Sequence, residues 1–204
     1  MSNSKAMNKE MIRTMTITSL MIAITIIMAF TLLGTVPLLV VSVTIAFLPA
    51  IVTTMLVGFV PGLIVATTAG VCSMVRAYIM PTGMLFPFIQ HPLVSVLPRM
   101  FIAVTVFLVF RALLTTKLPR PAVIGIAAAT GSITNTVGFL GMLWLIFAAP
   151  LHEAILANPN IEHVTVWAFI LGIILNNAIL EVIVNTIITT LVVTALTKAK
   201  LSKY

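Results

Sequence analysis

Aspartate is missing from this chain altogether, and acidic residues of any kind number four in 204. Charged residues amount to 7% of the sequence. There is no phosphate-binding glycine loop with Lys-Ser/Thr, no HExxH and no GxSxG, so neither nucleotide-driven nor metal-dependent catalysis has residues to work with. The single cysteine, Cys72, excludes an internal disulfide and any multi-cysteine metal site, and reads as a small packing residue in an apolar run. Aromatics are scarce at 7%. Nothing here suggests an enzyme or a resident cofactor.

What the chain has instead is apolar surface. Hydrophobic residues make up 61%, more than a soluble domain of this length can hide, so the bilayer must be its solvent. The formal charge of +7 does not point to nucleic acid, because the basic residues lie at the ends of apolar segments rather than in a patch. Met1–Arg13 carries Lys5, Lys9 and Arg13 ahead of the run from Thr14 to Leu33. That run of about 20 residues is too long for the core of a signal peptide and long enough to span.

Hydropathy predicts an all-α membrane protein, a single six-span domain over residues 1–204. The spans fall at about 13–33, 43–58, 61–79, 93–114, 121–149 and 164–197. Gly34, Pro37 and the residues to Thr44 read as a turn. Gly58, Gly62, Ala66 and Gly70 form a small-residue stripe suited to close helix packing. Residues 80–92 hold three prolines and a glycine and predict a loop or broken helix; residues 150–163 predict a polar loop. An even number of spans places both termini on the side of the 111–121 loop. Nine of the eleven basic residues gather there, Lys5, Lys9, Arg13, Arg111, Lys117, Arg120, Lys198, Lys200 and Lys203, so that side is expected to be cytoplasmic.

Against this background a few polar groups stand out. Asn177, Glu181 and Asn185 fall at i, i+4 and i+8 of the last span, with Asn176 beside them. Such a face looks into a bundle interior or a wet cavity, serving either as inter-helix glue or as a pocket. At 1.5 Å of rise per residue, Glu181 lies ~25 Å above Lys198, Asn135 ~22 Å above Arg120, Arg99 ~18–27 Å above its anchors and Arg76 ~22 Å past Pro61. All four fall in the outer half of a core about 30 Å thick, as one outward-facing pocket requires. Two arginines against one glutamate leave a cation for an anionic ligand. Arg99 suits that role or pairs with Glu181; Arg76 is the second candidate, or snorkels outward beside Tyr78. Trp144 and Trp167 read as interface anchors, and the three histidines as loop residues.

HPLVSVLPR at the start of span four, GSITNTVGFLGMLWL in span five and NNAILEVIVNTIIT in span six resemble the substrate-binding S component of an energy-coupling factor (ECF) vitamin transporter, most closely the pantothenate type. The resemblance covers essentially the whole chain. It implies a multi-pass cell-membrane subunit that captures a vitamin from outside. It also implies docking on a transmembrane coupling subunit (EcfT-like) driven by two cytoplasmic ATPase subunits. Arg99, Asn135, Asn177, Glu181 and Arg76 become the candidate substrate-binding residues. Ser19 and Ala23 match the small-xxx-small docking motif of helix one, with serine for the first alanine. The alternatives are an S component for riboflavin, a pyridoxine-like compound or a hydroxymethylpyrimidine, or a stand-alone secondary transporter using Glu181. Riboflavin favours aromatic stacking platforms, which are few near these residues.

Overall fold

The computed structural model describes residues 2–31, 34–38, 41–80, 85–157 and 165–199. Helix α1 (Ser2–Phe30) is followed by strands β1 (Thr35–Leu38) and β2 (Val41–Thr44), then by α2 (Leu48–Leu56) and α3 (Phe59–Ile79). Short helices α4 (Phe86–Ile89) and α5 (Pro92–Ser95) lead into α6 (Leu97–Leu113). The bundle is completed by α7 (Arg120–Leu156), α8 (Val166–Ile173), a π turn at Ile174–Ala178, and α9 (Ile179–Lys198).

Five helical stretches among the described residues are long and apolar enough to cross a membrane: Asn8–Phe30, Phe59–Ile79, Pro92–Leu113, Arg120–Leu156 and Ile179–Lys198. The second expected span, 43–58, is built differently. Only Leu48–Leu56 is helical there, and the turn expected at Gly34–Thr44 is an antiparallel hairpin with Thr35 opposite Thr44. Apart from this short hairpin the described residues are overwhelmingly helical, as the all-α expectation has it. Arg76 near the end of α3 donates to the Ala29 carbonyl near the end of α1, so the two helices run the same way. The chain therefore returns between them as strand plus short helix. Strand backbone at membrane depth is tolerated only where protein covers it.

All nine residues of α2 are buried, and Ile51, Val52, Met55 and Leu56 sit in the core with Ile102 and Val106 of α6 and Ile124, Ala127 and Ala128 of α7. The turn into α3 needs Gly58, whose φ of 129° lies where side chains are disfavoured. Gly62 allows α3 to close on α2, because a Cβ there would run into Thr54; Gly70 does the same against Val96. The small-residue stripe is thus a packing device.

The fifth span is longer than expected. Helix α7 continues to Leu156, so His152 and Glu153 are helical rather than in a loop, while Asn158, Pro159, Glu162 and His163 lie outside the described residues. Pro150 has no N–H to give to the preceding turn, and the backbone leaves helical values at Phe147 (φ −125°, ψ 25°). The last span stays helical from Val166 to Lys198, with a π turn between α8 and α9. Helices α7 and α9 are antiparallel, with Asn135 against Glu181 and Gly125 close to Thr186 and Thr190.

Candidate functional site

Proline chemistry sets the site's cation in place. Pro98 is four residues after Val94, so the Val94 carbonyl lacks its usual helical donor. Arg99 takes it instead, donating from Nη1 at 3.3 Å and from Nη2 to Ser73 Oγ of α3 at 3.4 Å. The guanidinium also lies over the Phe139 ring of α7, 5.7 Å from its centroid. Gly138 permits that approach, since Pro98 packs where a Cβ would stand.

The opposite wall comes from α9. Asn135 of α7 donates from Nδ2 to Glu181 Oε1 at 3.2 Å. Asn185, one turn below Glu181, donates from Nδ2 to the Thr44 carbonyl at 3.2 Å, and the Glu181 carboxylate accepts the Thr44 N–H. Two side chains at i and i+4 thus hold both polar groups of one β2 residue. This supplies partners that an unwound crossing would otherwise lack in a membrane. All three are nearly sealed from solvent: Asn135 is 7% exposed, Glu181 8% and Asn185 0%.

Arg99 and Glu181 attract each other electrostatically, but their hydrogen bonds go to the partners named above. The arginine is held by two long bonds to neutral oxygens, which leaves its planar fork of donors suited to an anion. The amide oxygens Asn135 Oδ1 and Asn185 Oδ1 are buried without a hydrogen-bond partner among the described residues. Buried acceptors of this kind favour a ligand bearing hydroxyl or amide N–H groups.

The structure therefore brings Arg99, Asn135 and Glu181 into one polar layer and adds Asn185, Thr44, Ser73 and Phe139. Asn185 carried a sequence signal, the four-residue spacing from Glu181. Thr44 carried none, because it takes part through its main chain. Arg76 is elsewhere: one turn beyond Ser73 on α3, its guanidinium turns to α1 and the Ala29 carbonyl. The backbone of Asn177 lies in the π turn, across which the regular i, i+4 relation to Glu181 does not carry; its side chain is outside those described. Ser19 and Ala23 share the exposed side of α1 with Leu20, Ile26, Ile27 and Phe30.

No curated protein matches this sequence. A family model does, that of the ECF transporter substrate-specific component, over residues 13–193. Membrane-length helices agree with that match: the chain belongs to the family of ECF transporter substrate-specific components, substrate-binding membrane subunits of importers rather than enzymes.

Proposed function

We propose that the chain captures pantothenate from outside the cell and delivers it inward with ATP hydrolysed by partner subunits. Arg99 holds the carboxylate. Asn135 and Glu181 serve the hydroxyls and amide, joined by Asn177 from the π turn and, on the geometry above, by Asn185. Arg76 stands as an outer cation near the end of α3 that steers the anion inward. The termini and the 111–121 loop face the cytoplasm, where a transmembrane coupling subunit and two ATPase subunits complete the importer. The Ser19–Ala23 face of α1 meets the coupling subunit, because small residues let a partner backbone approach closely.

The observation that carries the ligand assignment is that, among the described residues, a part-buried guanidinium hydrogen-bonded to neutral oxygens shares a polar layer with two buried amide oxygens that have no hydrogen-bond partner. Pantothenate offers one carboxylate, an amide and two hydroxyls on a short branched chain. The test compares pantothenate with its neutral alcohol, panthenol, by titration calorimetry on purified wild type and Arg99→Ala. Wild type prefers the acid, and the variant loses most of that preference. Equal discrimination by both proteins removes Arg99 from the carboxylate site.

A further inference from the structure

A concavity lies between α7 and the α8–α9 unit, beside the polar layer. It is a groove of about 560 Å³ with Thr136, Leu140 and Ala178 among its lining residues, and Trp144 and Trp167 near one end. The two indoles pack together with centroids 5.4 Å apart. Both helices that form it are irregular on this side: α7 bends at Phe147, and the π turn interrupts the last span. Gly141 borders the space, with nothing within 4 Å of where a Cβ would stand.

The lining favours one kind of occupant. Along α7 it runs from Ile133 to Trp144, ~16 Å of helix rise, and its apolar character suits an extended hydrocarbon chain. Depth agrees: Trp144 stands ~36 Å above Arg120 and Ile133 ~20 Å above it, so the groove spans the leaflet remote from the chain termini. The indoles then lie at headgroup level, where tryptophan is favoured.

We propose that this groove is a phospholipid site, in which one acyl chain of the leaflet remote from the termini lies between α7 and α9 with its headgroup end beside Trp144 and Trp167. The chain fills the separation between the two helices on which Asn135 and Glu181 are mounted. It does so whichever vitamin the polar layer takes.

The protein carries its own probe, because its only two tryptophans both line the groove. The full chain is reconstituted in phosphatidylcholine vesicles containing increasing fractions of lipid with brominated acyl chains, and tryptophan fluorescence is read. Wild type is quenched along a saturating curve at low brominated fraction. After exchange into detergent it keeps brominated phospholipid, detected by native mass spectrometry. Gly141→Phe, whose ring occupies the groove, shows quenching merely proportional to the brominated fraction and retains no lipid; Gly141→Leu provides the same test should the larger ring prevent folding. A control, Leu108→Phe, alters an exposed position on α6 and behaves as wild type. Proportional quenching in wild type, or equal lipid retention by wild type and the Gly141 variants, overturns the proposal.

Discussion

Helices α1 and α2 are neighbours in the chain and both strongly apolar, yet they meet opposite surroundings. In the 18-residue apolar window of α1 only 6% of residues are buried within the protein, whereas all nine residues of α2 are. In water the apolar helix would be driven inward. In a bilayer lipid solvates it equally well, so burial is decided by packing and by polar backbone that needs cover. Helix α2 is drawn in because the hairpin ahead of it needs partners, and α9 provides them at Thr44. Helix α1 carries no such demand and leaves one side open, Ser19 and Ala23 included.

Substitutions that add bulk on each side of this contrast have unequal consequences. Gly62→Leu drives a side chain into Thr54 where α3 closes on α2. Overpacking typically costs about 1–3 kcal/mol, and more where backbone must move. The variant is expected to yield no monodisperse protein by size-exclusion chromatography. A folded Gly62→Leu with wild-type thermal stability would show that α2 is not tightly enclosed.

Next comes the proposed ligand layer that α2 and the hairpin help to build. Hydrogen bonds to charged groups contribute about 1.5–3 kcal/mol, so Arg99→Ala weakens pantothenate binding by roughly one to two powers of ten. Arg99→Lys recovers only part, since the planar fork is lost. Full recovery by lysine in equilibrium binding would mean that charge alone is needed.

Asn185→Ala sharpens the account of why the hairpin is held. It removes the donor to the part-buried Thr44 carbonyl, at a cost of about 1–3 kcal/mol in stability. Thermal unfolding of the detergent-solubilised protein should shift downward, and Asn185→Asp should not restore it, because a carboxylate cannot donate to a carbonyl. Asn135→Ala is expected to cost on the order of 1 kcal/mol in pantothenate affinity. The smallest effect on the isolated chain belongs to Ser19→Leu with Ala23→Leu. Fold and vitamin affinity persist, while co-purification with the coupling subunit falls. Loss of the fold would place the pair in internal packing instead.

Much of this was legible in the residues. Long apolar runs are sufficient to locate helices of membrane length, because no other stretch can leave its backbone satisfied in lipid. The rarity of charge made Arg99, Asn135 and Glu181 conspicuous, since polar groups at that depth are costly enough to need a reason. The same signals failed where regular structure breaks. An apolar run over 43–58 does not reveal that its first residues are a strand, because at membrane depth both states present apolar side chains. Helical spacing aligned Asn177 with Glu181, but a π turn changes the phase between them.

Composition and periodicity thus determined by themselves that this is a helical membrane protein with a few costly polar groups along its spans. Only the tertiary structure decided which of those groups share a layer. Arg99 reaches Ser73 and Val94, Arg76 turns to Ala29, and Asn185 meets the Thr44 carbonyl. The physical reason is that lipid removes the hydrophobic sorting by which a sequence reports inside from outside. Which polar group meets which then depends on prolines, glycines and an unwound strand that release backbone groups in three dimensions. Neither hydropathy nor residue spacing records where those groups will be answered.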